Sequence, residues 1–212
     1  MEQKKNALPQ AMHTRTPRRF HRNNTQYLVT LAIFAALIVV LQFWGSGIKI
    51  GITSLSLVLI PVVLGGLLLG IKAGAILGLF FALVTILCGA FGLDAFTLYL
   101  LQMHPILTVL TCLVKGTAAG FLPPLIHRLL HHRFPHLSII VAAACAPLAN
   151  TSLFMLGMTT MLGTLSAKVG DVVYFLFFTI LVCNFLVELA VNLVAAPAIY
   201  RIVHAVDKQY RR

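Results

Sequence analysis

Three polar residues, Asn184, Glu188 and Asn192, recur at four-residue intervals in the apolar segment LVCNFLVELAVNLVAAP (181–197). This spacing places all three on one face of an α-helix. Amides and a carboxylate can bind a polar solute through hydrogen bonds, or they can join neighbouring helices. Another isolated charge, Lys115, lies in a second apolar stretch. These side chains therefore indicate either a binding site or contacts between helices.

The composition predicts that the helices carrying these residues cross a membrane. Of the 212 residues, 59% are hydrophobic and 10% are charged, and the mean hydropathy is +0.95. A soluble chain of this length cannot bury so much apolar surface. We therefore predict an all-α, polytopic membrane protein with six transmembrane helices. The predicted spans are residues 27–44, 54–70, 73–91, 105–124 with an extension to 131, 137–161 and 172–204.

The distribution of cations predicts the orientation of these spans. If the N-terminus is cytoplasmic, 13 of the 16 Lys and Arg residues lie on the inner side, Lys49 and Lys168 lie outside, and Lys115 lies within the fourth span. Cytoplasmic loops carry such an excess of cations, so we predict that both termini are cytoplasmic. The basic tails are expected to meet anionic lipid head groups rather than nucleic acid. The predicted domains are a basic tail at 1–26, a transmembrane substrate-binding domain at 27–204 and a short basic tail at 205–212.

Three predicted outer loops could cover a site that is open to the exterior. They comprise residues 45–53, 92–104 and 162–171, and they contain glycine, aromatic and polar residues. Such loops are either a lid or plain solvated connections.

The depth of the buried charges favours a binding site. An ionisable side chain at the centre of a membrane costs about 2.5–3.5 kcal/mol on insertion scales, so it indicates a functional site by default. At about 1.5 Å per residue, Lys115 lies about 15 Å below the outer start of its span, and Asn184 and Glu188 lie about 18 and 24 Å below theirs. The fifth span adds Asn150. Joining helices would gain only about 0.6 kcal/mol per hydrogen bond, which makes a lysine and a glutamate costly for that purpose.

Other patterns predict packing rather than chemistry. Ala32 and Ala36 form a small face on the first span that could dock another membrane protein, and a glycine series at four-residue spacing from Gly66 to Gly78 is expected to pack helices within the bundle. The chain has no Walker A loop, and its five acidic residues argue against two-metal chemistry. We therefore predict no catalytic residue, no metal and no cofactor.

Several motifs, in their order and spacing, resemble the substrate-binding S components of energy-coupling factor (ECF) transporters, a vitamin-uptake group of ABC transporters. The motifs are AIFAAL in the first span, SLVLIPVVLGGLLLGIKAGAILGLFFAL across the second and third, HPILTVLTCLVKGTAAGFLPPLI in the fourth and NTSLF in the fifth. The similarity covers about residues 27–200.

The resemblance implies a binding subunit in a bacterial plasma membrane that is not itself an enzyme. It would associate with a transmembrane T component and two cytoplasmic ATPases, docking through Ala32 and Ala36, and it would deliver its substrate inward by toppling in the membrane. Ligand contacts in such proteins come from the first outer loop and from spans four to six. The implied substrate-binding residues are Lys49, Lys115, Asn150, Asn184 and Glu188, with Trp44 and Tyr99 as apolar walls.

The substrate class and the rival functions follow from the same residues. A buried cation beside amides suits a vitamin that bears a carboxylate or an oxygen-rich ring; riboflavin, pantothenate, folate and pyridoxine-like compounds qualify, and riboflavin or pantothenate ranks first.

The alternative is a self-sufficient secondary transporter or channel in which Lys115 and Glu188 form an ion relay. A lipid-modifying enzyme would need a cluster of acids or a nucleophile–base pair, which the sequence lacks. A scaffold subunit would bind no ligand.

Overall fold

The protein is a bundle of apolar helices, as predicted. The structure, a computed structural model, describes residues 24–47, 49–50, 53–54, 57–161 and 184–210. Its elements in chain order are α1 (Asn24–Gly47), β1 (Lys49–Ile50), β2 (Thr53–Ser54), α2 (Leu59–Leu69), α3 (Ile71–Ala90), α4 (Ala95–Met103), α5 (Pro105–Leu130), α6 (Pro135–Thr159) and α7 (Leu186–Tyr210). The all-α, polytopic class is therefore confirmed, and the two strands form only a two-residue antiparallel ladder.

Five of the described helices are long and apolar enough to cross a membrane, namely α1, α3, α5, α6 and α7. Helix α2 falls short because it has 11 residues, or about 16 Å of length, against a hydrocarbon core of about 30 Å. The predicted second span began at Ser54, but Ser54 pairs with Lys49 in the ladder. The described chain thus has five full-length spans rather than six. Residues 172–183 of the last predicted span lie outside the described residues.

A short helix, α4, occupies most of the segment that was predicted as the second outer loop. Asp94 caps its N-terminus: one carboxylate oxygen accepts a hydrogen bond from the Phe96 backbone N–H at 3.3 Å, and the other accepts one from the Thr97 hydroxyl at 2.5 Å. Gly92, with φ 76°, supplies the turn between α3 and this cap. The second outer connection is therefore a fixed helix at the end of the bundle.

Glycines bring the backbones of α3 and α5 into direct contact. A Cβ added at Gly120 would lie 2.1 Å from the carbonyl oxygen of Gly74, and one added at Gly78 would lie 2.2 Å from that of Gly116. Only glycine permits this approach, which is a common way to pack helices in membranes. The predicted packing function is thus confirmed for Gly74 and Gly78. Gly70 differs, because its φ of 98° makes it the turn between α2 and α3.

Helices α5 and α6 form an antiparallel pair that carries the candidate site. Near the start of α5 and the end of α6, Thr111 fills the space beside Gly157. Near the end of α5 and the start of α6, the His127 Nδ1 and Ser138 Oγ atoms lie 3.0 Å apart in a hydrogen bond. Helix α7 packs against the other side of α6 through an apolar cluster that includes Ile199. Helix α6 therefore contacts both α5 and α7, so side chains from all three helices can meet.

Candidate functional site

Lys115 contacts an aromatic ring in the middle of the α5–α6 pair. Its Nζ atom lies 4.4 Å from the ring centroid of Phe154 on α6. A cation within about 6 Å of a ring centroid is attracted by the negative face of the ring. Lys115 follows Pro105 by about ten residues, and Phe154 precedes the end of α6 by about five, so the contact lies nearer the start of α5 and the end of α6. The ring thus gives the half-buried ammonium group a partner on the neighbouring helix.

A second polar contact joins α6 to α7. The Asn150 Nδ2 atom donates a hydrogen bond to Glu188 Oε2 at 3.5 Å. Both residues are buried, with exposures of 4% for Asn150 and 1% for Glu188. Asn150 precedes Phe154 by one helical turn, so the two lie on the same face of α6. We call Lys115, Asn150, Phe154 and Glu188 the polar cluster, because three helices bring them to one region of the bundle.

The two other amides of the α7 stripe flank Glu188. The Asn192 Nδ2 atom donates to the Glu188 backbone carbonyl at 2.9 Å, which ties this side chain to its own helix. Asn184 lies one turn before Glu188, in a π-helical turn that leads into α7. The Oδ1 atoms of Asn150, Asn184 and Asn192 are buried and have no hydrogen-bond partner in the described chain. The polar groups left available around Glu188 therefore include three hydrogen-bond acceptors.

Helix α4 packs apolar and aromatic side chains against Phe154 of the polar cluster. The Phe96 ring meets the Phe154 ring edge to face, with centroids 6.1 Å apart. Tyr99 packs into the same apolar cluster with its hydroxyl oxygen buried. The Thr108 hydroxyl donates to the Leu100 carbonyl at 3.0 Å and so fastens α4 to α5. Helix α4 thus forms a wall above Phe154, and Tyr99 is part of it.

The predicted residues of the first helix and the first outer loop lie elsewhere. Trp44 is 72% exposed, so it is not buried against the polar cluster; such exposure is typical of a ring at the membrane interface. Lys49 lies in β1 opposite Ser54, and the described structure does not extend to its side chain. The structure therefore brings together Lys115, Asn150 and Glu188, but it leaves Trp44 outside their surroundings.

The side chains of Ala32 and Ala36 are exposed on α1. The buried side of this helix is formed by Phe34 and Ile38, which pack into the core with α2 and α3. Because Ala32 and Ala36 precede these residues by two positions, or about 200° of helix rotation, they lie on the opposite side. The small face predicted for docking is thus accessible from outside the bundle.

An apolar groove on α5 is separate from the polar cluster. It measures about 410 Å³ and lies on a different face of the helix from Lys115. The residues that line it are Leu113, Val114, Thr117, Ala118 and Phe121. Its chemistry suits acyl chains rather than a polar solute.

Phe154 is the member of the cluster that the sequence did not reveal. It is the last residue of the NTSLF motif, four positions after Asn150. Four-residue spacing on a helix puts two side chains on one face, so this signal was available. The contact with Lys115 was not predictable, because it depends on how α5 and α6 are aligned.

Comparison with known proteins gives one family assignment. No curated protein matches the chain. The family model described as the substrate-specific component of the ECF transporter matches residues 26–200. Its members are substrate-binding transport subunits embedded in the membrane. Because the match runs from the first helix into the last and includes the whole polar cluster, the chain belongs to the substrate-specific components of ECF transporters.

Proposed function

We propose that this protein captures a water-soluble vitamin or related micronutrient from outside the cell and delivers it inward. Riboflavin and pantothenate are the candidate substrates. Membership of the family supports a substrate-binding transport subunit that works with an ECF module. The family assignment does not specify the vitamin, the side from which it binds or the residues that contact it; these parts are our proposal.

The observation that carries this proposal is the pair of contacts at mid-bundle, Lys115 with Phe154 and Asn150 with Glu188. A half-buried cation and a buried carboxylate among apolar helices are costly unless they are used. Lys115 and Glu188 each contact a residue of α6, Phe154 and Asn150 respectively. Beside these contacts, the buried Oδ1 atoms of Asn150 and Asn184 have no hydrogen-bond partner in the described chain, which supports a polar solute with hydrogen-bond donors at this place.

The remaining substrate contacts are proposed from the positions of the predicted residues. Asn184 lies one turn before Glu188 in the chain. Tyr99 lies in the α4 wall, in the same apolar cluster as Phe154. Lys49 belongs to the first outer connection and is proposed as a contact from the outer side. Trp44 is proposed as an interfacial anchor rather than a wall of the site, because of its exposure.

We further propose that transport is powered by other subunits. The partners are a transmembrane T component and two cytoplasmic ATPases in a bacterial plasma membrane, and the S component itself has no enzymatic role. Ala32 and Ala36 offer a small, exposed face that permits close approach of another helix. Toppling of the whole bundle against that partner would carry the site from the outer to the inner side.

Reconstitution into lipid vesicles tests whether this protein only binds the substrate while other subunits power its uptake. The purified protein alone should bind radiolabelled riboflavin or pantothenate but should not accumulate it. Accumulation should require the T component, the ATPases and ATP. Uptake by the protein alone under an ion gradient would refute the proposal and would favour the ion-relay alternative.

Variants of the docking face separate binding from transport. Ala32→Leu with Ala36→Leu should abolish ATP-driven uptake and leave equilibrium binding unchanged. The matched control is Ile76→Phe with Leu83→Phe, which adds bulk to exposed positions on α3. If the control blocks uptake equally, or if the alanine variants lose binding, then the docking assignment is wrong.

A further inference from the structure

The orientation of two buried amides is fixed by what they contact. Asn150 Nδ2 faces the Glu188 carboxylate, and Asn192 Nδ2 faces the Glu188 backbone carbonyl. A backbone carbonyl only accepts hydrogen bonds, and the Glu188 carboxylate oxygen is the acceptor of the Asn150 contact, so each amide presents its NH₂ group to Glu188. The amide oxygens consequently point away from those contacts. The hydrogen-bond partners decide which amide atom is nitrogen and which is oxygen.

The atoms that remain around Glu188 form a surface of acceptors. The Oδ1 atoms of Asn150, Asn184 and Asn192 are buried and have no hydrogen-bond partner within the part of the chain that the structure describes. Asn150 is itself more than nine-tenths buried. Buried polar atoms are nearly always paired, so unpaired acceptors from two helices imply a missing donor. We call the side-chain oxygens of Asn150, Asn184 and Glu188 the acceptor cluster.

We infer that the ligand presents at least two hydrogen-bond donors, from an amine or from hydroxyl groups, to the acceptor cluster. This inference rests on the proposed function and specifies the chemistry of its substrate. Lys115 on α5 contacts Phe154, which lies one turn along α6 from Asn150, and it supplies the opposite character, since an ammonium group only donates. The ligand therefore lies with its donors toward Glu188 and its acidic or oxygen-rich group toward Lys115.

Two features of the geometry support this direction. First, Glu188 is 1% exposed and its carboxylate accepts from Asn150 Nδ2, which turns the unpaired Oδ1 atom of Asn150 away from Glu188 and leaves it available to a donor. Second, the Phe154 ring lies between the two ends on α6 and is closed on its other side by Phe96. A flat or apolar middle portion of the ligand can pack against this ring while its two ends reach groups of opposite character.

The test begins with the compound that the full-length wild-type protein carries after purification from cells. The compound is released by denaturation and identified by mass spectrometry. The protein is then refolded without its compound, each of four probes is added separately, and the shift in melting temperature is measured. Riboflavin and lumiflavin differ in their hydroxyl-bearing chain, and pyridoxamine and pyridoxine differ by an amine in place of a hydroxyl, so the pairs separate the two sources of donors.

Variants then locate the donors at the acceptor cluster. Glu188→Gln keeps the shape but replaces a carboxylate oxygen by an NH₂ group, so binding of the released compound should weaken about 10- to 100-fold, the range for hydrogen bonds to charged groups. Asn184→Leu removes one acceptor and should weaken binding by about three- to tenfold. Ser152→Ala, at an exposed position on α6, is the matched control and should bind normally.

The outcomes distinguish this inference from the proposed function. A released compound with two or more N–H or O–H donors, together with weaker binding to Glu188→Gln, supports the inference. A released compound without such donors, or unchanged affinity in a folded Glu188→Gln protein, overturns the inference but leaves vitamin capture standing. If no compound is released and no probe stabilises the protein, water alone satisfies the acceptors, and both the inference and the proposed function fail.

Discussion

The contact between Lys115 and Phe154 leads to a quantitative prediction. Cation–π contacts contribute about 0.5–1 kcal/mol when exposed and about 2 kcal/mol or more when desolvated. Both side chains are half-buried, so a coupling free energy of about 1 kcal/mol is expected for this pair. Phe154→Leu should cost more than this, because it also removes the edge-to-face contact with Phe96, which is worth about 0.5–1.5 kcal/mol.

A double-mutant cycle isolates the coupling. The free energy of unfolding is measured without ligand, by detergent titration followed with circular dichroism, for Lys115→Met, Phe154→Leu and the double variant. Methionine keeps the apolar stem of lysine and removes only its charge. The control cycle pairs Lys115→Met with Phe34→Leu in the core between α1, α2 and α3, and it should be additive. A coupling within about 0.3 kcal/mol of zero for the first cycle would show that the ring does not hold the ammonium group.

Three further predictions concern the packing around the site. Gly120→Ala should destabilise the protein by about 1–3 kcal/mol, because its Cβ would meet a backbone oxygen at 2.1 Å; Gly66→Ala, whose Cβ would lie 3.2 Å from the nearest atom, is the comparison and should lower the melting temperature by less. Asp94→Ala should cost about 1 kcal/mol and speed amide hydrogen exchange in α4, whereas the equally good cap in Asp94→Asn should restore protection. Ser138→Ala should lower the free energy of unfolding by about 0.5–1.5 kcal/mol through loss of its hydrogen bond to His127, and an unchanged melting curve would contradict that contact.

The sequence was sufficient to predict the five long apolar helices and the polar face of α7. Hydropathy over long runs detects spans, and the four-residue period on α7 gives the face that carries Glu188. Similar depths on antiparallel helices then suggest that Lys115 and Asn150 lie near one another. These arguments depend on rise per residue and on the cost of burying charge, both of which are local properties.

Other features depended on tertiary contacts that no local pattern reports. The exposure of Trp44 follows from where α1 ends relative to its neighbours, and the ring above Lys115 follows from the alignment of α5 with α6. Helix α4 did leave a local signal, since Asp94 and Thr97 have the spacing of an N-terminal cap. It was missed because a nine-residue helix is too short to stand out in a hydropathy profile.

The shortness of α2 relaxes a constraint that applies to the other spans. Irregular backbone is tolerated at membrane depth only where protein shields it from lipid. The turn before α2 meets this condition, because Val58 and Leu59 are fully buried and the helix packs against α1, α3 and α5. The helix can therefore begin at Leu59 without exposing its first peptide groups to acyl tails. The start of α2 thus depends on its neighbouring helices for shielding, so a change that loosens α1 or α5 would bring lipid into contact with backbone that the other spans protect by their own hydrogen bonds.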